Sequence, residues 1–437
     1  MRHLRRLTPR GTLGHRFWLI VLASTCASLA NGAVTPLLPL FVRNVLHGDA
    51  IAAGVLVGLA PFIGVLGQPL IGWFADRHGY KPTWILSSLI GIAGLLAMLG
   101  ATTFGVTFAS RALFGIATSA SATLMAAWVI ASLVPQERGR GLGLFGVSVW
   151  IGLGAGPQLG QLVLEWAGYA GLWLLAAFLT AASLLAVLPV AGPEGTGPEL
   201  TGPEGAGPEG AEPEIIDAVP DRTPIGARRR VWTASARSVL VPGIVAGLAW
   251  SAEGVILAFL IVHLDRQGFD VTGITAPASV LTIFAVSVIV ARFLISSVTD
   301  RIGPRRTAGF SLVLLAVALV ALAFAGTFAV AAVAAVLLGF AFAPLYPALT
   351  LLANEHLTVR NRGTGLGIFS ALTAVGTTFG TLYGGLLSNW SGEWAAFVAA
   401  AGLQVVALAV LARGRRPRRR PVRTPQPQRP VPAPPAR

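Results

Sequence analysis

Glu253 is the residue in this chain best placed to do chemistry. It sits in the middle of an apolar run beside Trp250 and Ser251, and it is the only one of eighteen acids deep inside such a run. Eight of the others fall within residues 192–230, and the remaining nine (Asp49, Asp76, Glu137, Glu165, Asp265, Asp270, Asp300, Glu355 and Glu393) lie in loops or at run ends. A charge in the middle of a membrane-spanning helix costs about 2.5–3.5 kcal/mol, so this carboxyl is expected to face a central cavity. It can carry a proton when neutral and bind a cation when ionised. A structural hydrogen-bonding role is the other reading of the same residue. Arg111 is a second charge within a run, and it either faces the interior or snorkels to the membrane surface. Arg292 stands near a run end and reads as a snorkelling anchor. Asn31, Trp128, Trp250, Thr377 and Tyr346, the last between Pro344 and Pro347, are candidate cavity residues, with packing as the alternative for each.

Other chemistries find no support. The six histidines are scattered without metal-ligand spacing, and no nucleophile–base pair or phosphate-binding loop is visible. No catalytic residue, metal site or cofactor is therefore expected, and the chain does not read as an enzyme. The one cysteine, Cys26, excludes an internal disulfide. A net charge of +14 invites a nucleic-acid reading. The basic residues, however, gather at the ends of apolar runs instead of forming one face, which points away from nucleic acid.

The elements that must position Glu253 and Arg111 are membrane-spanning helices. Of 437 residues 54% are apolar and 11% charged, against roughly 25% charged in a soluble domain. A spanning helix needs about 20 mostly apolar residues. Ten runs qualify as single spans, and the long run 307–354 breaks near Gly326 into two more, making twelve. The first run continues to Val42, past the length of a signal-peptide core, and reads as a span. With the N-terminus placed inside, 28 of the 32 basic residues fall on the cytoplasmic side. Both termini are then cytoplasmic.

The twelve spans form two related sixes. At a constant offset of 224 residues, Asp76, Arg77, Gly79 and Lys81 match Asp300, Arg301, Gly303 and Arg305. Gly141, Leu142, Gly143 and Phe145 match Gly365, Leu366, Gly367 and Phe369, and Gly156 and Gly160 match Gly380 and Gly384. Six is an even number, so both halves run the same way through the membrane, as in a parallel repeat. The expected parts are an N-tail (1–16), a six-helix bundle (17–191), a linker (192–237), a second bundle (238–413) and a basic C-tail (414–437). The Gly-Pro-Glu repeats of the linker bury too little apolar surface to fold, and the Arg/Pro-rich tail reads the same way.

Four stretches resemble the major facilitator superfamily. Gly72-Trp73-Phe74-Ala75-Asp76-Arg77-His78-Gly79-Tyr80-Lys81 looks like its loop signature between the second and third helices, repeated at Asp300–Arg305 with the leading glycine replaced by Ser296. Arg111-Ala112-Leu113-Phe114-Gly115 resembles its fourth-helix motif. Gly152 to Gly160, with Gly156 and Pro157, resembles the fifth-helix motif of antiporters, and Thr35-Pro36-Leu37-Leu38-Pro39 a first-helix pattern of exporters. The resemblance implies an all-α membrane fold of two parallel six-helix repeats. It implies a latch at the loop signature that shuts the cytoplasmic side, with Asp76 accepting hydrogen bonds from a helix N-terminus. It also implies a proton-coupling role for Arg111. The functional expectation is a proton-coupled, drug:proton antiporter-type exporter of a small apolar or cationic molecule, working as a monomer in the inner (plasma) membrane. A proton-coupled metabolite symporter and a non-transporting sensor of the same fold are the alternatives.

Overall fold

The computed structural model describes residues 14–133, 137–190, 225–269, 275–295, 301–355, 357 and 362–413. The linker up to residue 224, the C-tail and Asp300 lie outside the described residues. Eleven helices are long and apolar enough to cross a membrane. One of these, within Arg138–Val187, is broken at Gly168 (φ 63°, ψ −167°), a conformation that only glycine adopts readily. Its two parts, 138–167 and 169–187, are separate crossings, so the described residues contain twelve. They are α1 (His15–Asn44), α2 (Ala50–His78), α3 (Tyr80–Ala97), α4 (Phe104–Ala131), α5 (138–167) and α6 (169–187). The second half comprises α7 (Ile225–Arg266), α8 (Pro277–Leu294), α9 (Pro304–Ala323), α10 (Phe328–Asn354), α11 (Arg362–Ser391) and α12 (Glu393–Arg413). No strand occurs among the described residues.

Two boundaries differ from expectation. Helix α7 begins at Ile225, inside the stretch assigned to the linker. Residues 227–241 hold no glycine or proline, so once a helix forms at Val239 nothing local stops it from extending backwards. Helix α1 is interrupted at 35–37, where Pro36 cannot donate a backbone hydrogen bond.

The repeat is reproduced in corresponding contacts at several points. Gly79 (φ 87°, ψ 163°) and Gly303 (φ 84°, ψ 153°) make the same left-handed turn ahead of α3 and α9. Thr83 and Thr307 donate to the carbonyls of Gly79 and Gly303 at 2.7 and 3.0 Å. Thr103 caps α4 through the Val106 amide, as Thr327 caps α10 through the Val330 amide, each at 3.4 Å. The Lys81 ammonium donates to the Leu188 carbonyl just beyond α6, and the Arg305 guanidinium donates to the Leu411 and Ala412 carbonyls ending α12. Cations there satisfy carbonyls that a helix end leaves without partners.

Within each half, glycine sets how closely the helices approach. Apolar burial drives little association in lipid, so packing at small residues and interhelical hydrogen bonds must serve. Gly152 and Gly156 of α5 lie directly on the backbone of Ser28 and Gly32 of α1, and Gly376 and Gly380 of α11 on that of Gly247 and Ser251 of α7. Ser24 and Ser148 hydrogen-bond across α1 and α5 at 2.9 Å. Large apolar side chains such as Phe178, Phe310 and Trp390 stay exposed, as a lipid-facing surface requires.

At Gly156 a side chain would meet the backbone of Gly32 and Ala33, whereas at Gly72 nothing lies within 4 Å. Gly156→Val is expected to destabilise the protein by about 1–3 kcal/mol through overpacking, while Gly72→Ala is tolerated. Thermal unfolding of the detergent-solubilised protein distinguishes the two.

Candidate functional site

The halves meet across α2 with α11 and α5 with α8. Gly54 and Gly58 of α2 rest on Thr381 of α11, and Ala50 meets Gly385. Thr378 donates to the Gly58 carbonyl at 3.4 Å. Between α5 and α8, Thr282 donates to the Gly154 carbonyl at 2.6 Å and the Gln158 amide to Ser279 at 2.7 Å. At the end remote from the Gly72–Lys81 motif, Arg43 closing α1 pairs with Asp265 of α7 at 2.6 Å. Arg266 pairs with Glu393 at the start of α12 at 2.7 Å, within the second half. A crevice of about 160 Å³, lined by Asp49, Ala53, Ser388 and Asn389 among others, lies between the halves here.

On the motif side of this seal lies a cavity of about 590 Å³ lined by both halves. Asn31, Arg111, Trp250, Glu253, Tyr346 and Thr377 all line it. A neighbouring pocket of about 160 Å³ between α1, α5 and α7 shares Asn31, Thr35, Glu253 and Leu257 with it. Glu253 therefore stands at the partition between the two spaces. The Trp250 ring meets Tyr346 edge-on at 5.4 Å and Phe342 at 5.8 Å, forming one aromatic wall.

Arg111 does not snorkel. Its side chain is 2% exposed and turned inward. Nε donates to the Leu56 carbonyl at 3.4 Å and Nη2 to Thr35 Oγ1 at 3.0 Å, and Thr35 in turn donates to Asn31 Oδ1 at 2.9 Å. The guanidinium carbon lies 5.5 Å from the centre of the Phe114 ring. Nη1 is buried without a hydrogen-bond partner. Leaving such a donor unpaired costs about 1–3 kcal/mol or more for a charged group, so it is poised for an acceptor in the cavity. Among the described residues Arg111 and Glu253 form no ion pair. The cavity thus holds a guanidinium from one half and a carboxyl group from the other, not paired with each other.

Trp128 is the exception among the proposed cavity residues. It is buried in an apolar cluster near the motif end, stacked on Tyr80 at 6.2 Å. Helix α4 contains a π segment, Ser121–Met125, whose wider turn re-aims everything after it. Thr118, Ser119 and Thr123 line the cavity, and Trp128 beyond them packs into the core. Arg292 is exposed, with its guanidinium 5.6 Å from the Trp150 ring. Sequence reasoning missed Gln68 and the hydroxyl row Ser370, Thr373, Thr377 and Thr381, of which it named only Thr377. The spacing of that row, three or four residues apart, was the available signal.

Within the loop motif Lys81 is bonded to the Leu188 carbonyl, while the stretch before it is open. Asp76, Arg77 and His78 are exposed, and among the described residues Asp76 makes no hydrogen bond or ion pair. Arg77 lies over its own neighbour, the Trp73 ring, at 4.6 Å. In α5, Gly152, Gly156 and Gly160 face α1, and Pro157 lies among them inside the helix.

Comparison with known proteins agrees with this architecture. The family model of the Major Facilitator Superfamily matches residues 20–281 and again 272–437. The chain belongs to the major facilitator superfamily. It is 25% identical over 428 residues to the MFS-type transporter YhhS of Escherichia coli O6:H1 strain CFT073, covering 95% of each chain. It is 26% identical over 410 residues to YhhS of Salmonella typhimurium strain LT2, covering 91% of each. Among solved structures, the nucleoside transporter NupG superposes with a TM-score of 0.72 at 15% identity, over 91% of this chain and 99% of that one. A bacterial homologue of the lysosomal transporter Spinster gives 0.71 at 15% identity, over 92% and 97%. At such identity the likeness establishes the fold. The chain is a multi-pass membrane protein of a secondary-transporter family.

Arg43–Asp265 is the one ion pair between the halves among the described residues, and both side chains are partly exposed. Such a pair is worth about 0.2–1 kcal/mol, which shifts a population by about 1.4- to 5-fold. Arg43→Gln is expected to raise, by that factor, the rate at which a cysteine at Ala53 reacts with an impermeant maleimide in a Cys26→Ser background.

Proposed function

We propose that this chain is a proton-coupled exporter of a small apolar or cationic molecule, working by alternating access. The observation that carries the reading is the placement of Glu253. Among the described residues it is the only carboxylate lining the central cavity, and it stands where two spaces and both halves meet. A proton on Glu253 exchanges with substrate. Arg111 holds a fixed positive charge in the opposite wall, so that the carboxylate left behind still faces a compensating cation. A proton moving through about 150 mV releases roughly 3.5 kcal/mol, enough for a gradient of a few hundredfold.

The bias of basic residues puts the motif end, and both termini, in the cytoplasm of a cell whose inner membrane holds the protein. The seal at Arg43–Asp265 then faces outward and the cavity is reached from inside. In the opposite state the two copies of the loop motif, Gly72, Asp76, Arg77, Gly79 and Lys81 with Asp300, Arg301, Gly303 and Arg305, close the cytoplasmic side. The exposure of Asp76 and Arg77 in the present state supports that sequence of events. The fifth-helix glycines with Pro157 favour export over uptake, by resemblance to antiporters.

The test is proton-driven flux of small amines and cationic dyes in everted vesicles, with Glu253→Gln beside the parent. Uptake driven by the gradient is expected in the parent and is lost to background in Glu253→Gln. A variant that still accumulates substrate on the proton gradient would remove Glu253 as the carrier. Flux in the opposite sense would make the protein a symporter.

A further inference from the structure

The cavity walls carry a hydrogen-bond polarity that narrows the substrate. Thr118 and Ser119 donate their hydroxyl protons to the Gly115 carbonyl at 2.9 and 2.8 Å, and Thr123 to Ser119 at 3.1 Å. On α11, Thr373 donates to Ser370 at 2.6 Å, Thr377 to Thr373 at 3.2 Å and Thr381 to Thr378 at 2.8 Å. A hydroxyl has one proton to give and two lone pairs. With the proton committed to its own helix, each of these side chains offers the cavity only an acceptor. Glu253, when ionised, adds a charged acceptor on the second half. These walls therefore select for a ligand rich in N–H or O–H donors, and for a positive one.

Arg111, seven residues before Thr118 on α4, asks for the reverse. Arg111 lines the same cavity, and its Nη1 is buried with no hydrogen-bond partner. Its neighbours Nε and Nη2 are held by Leu56 and Thr35, so the guanidinium cannot swing away without breaking both bonds. A simple monovalent cation would leave this donor unmet and would sit near a like charge. The same cavity has an aromatic wall, formed by Trp250 and Tyr346.

The geometry points to a small amphoteric substrate, with an N–H-bearing protonated amine on Glu253, a carboxylate or carbonyl oxygen on Arg111 and a flat apolar body between them. This rests on the transport reading of the same cavity and replaces its apolar or cationic substrate with an amphoteric one. Such a ligand touches both halves at once, because Arg111 belongs to the first and Glu253 to the second. Binding then draws the halves together, which neither end achieves alone.

Equilibrium binding to the purified full chain, with radiolabelled 4-(aminomethyl)benzoate as the probe, tests this without any gradient. The probe is expected to bind about tenfold or more tightly than either benzylamine or benzoate, because each lacks one polar end that the site is built to pair. Its N,N,N-trimethyl analogue keeps the charge without the N–H donors and is expected to lose about as much. Arg111→Gln should reduce the probe to the affinity of benzylamine, and Glu253→Gln to that of benzoate. The comparison among ligands on the parent protein stands even if a variant does not fold. Equal binding of benzylamine or the trimethyl analogue, or no saturable binding of the probe at millimolar concentration, would overturn the assignment. Either result leaves proton-coupled transport standing, since coupling is read from flux. Persistence of gradient-driven flux in Glu253→Gln, with this binding order intact on the parent, would remove Glu253 as the proton carrier and keep the substrate class.

Discussion

Lipid offers the backbone no hydrogen bonds and gives apolar side chains little reason to prefer one another over the bilayer. Every other feature of this protein answers that constraint. Helices satisfy their own backbones, and rigid pairs form only where glycine lets two backbones touch. The α1–α5 contact at Gly32 and Gly156 and the α7–α11 contact at Ser251 and Gly380 are the stiff members of the two halves. Arg111 and Glu253 stay in place because those scaffolds do. Thr35 next to the α1 contact anchors the guanidinium, and Glu253 lies one turn of α7 or less from Ser251 and Gly254, both packed on α11.

Much of this was legible in the sequence. Apolar runs, their charged ends and the 224-residue offset determine the number of crossings and the parallel repeat, because lipid thickness leaves few other lengths. Glu253 was legible because a lone acid in a span is expensive. Facing was harder. Trp128 was misassigned because a π segment seven residues earlier leaves no mark in composition. The matched pair Lys81 and Arg305 was visible, but read as part of the cytoplasmic latch. Its bonds to the ends of α6 and α12 depend on contacts over 100 residues apart in the chain. The acceptor polarity of the hydroxyl rows was hidden for another reason: only the direction of each O–H decides it.

The two halves share a scaffold and differ in chemistry. Gly79 and Gly303, Thr103 and Thr327, and Lys81 and Arg305 do the same task twice. Arg111 stands opposite Ala335, and Glu253 opposite Leu29, at positions where the repeat has no charged counterpart. Equal scaffolds allow either half to rock against the other around one centre. Unequal side chains give that centre a positive side and a negative side. In the proposed function, symmetry supplies the movement and its local violation supplies the selectivity.

The reversal at Gly168 has a consequence for the shape of the molecule. The chain turns from α5 into α6 on one residue with a positive φ, and from α11 into α12 at Gly392, also with a positive φ. On the face opposite the termini, these crossings leave almost nothing standing above the bilayer. An epitope or reporter inserted at either turn would have to split a helix pair, and an antibody approaching from that side would find little to hold.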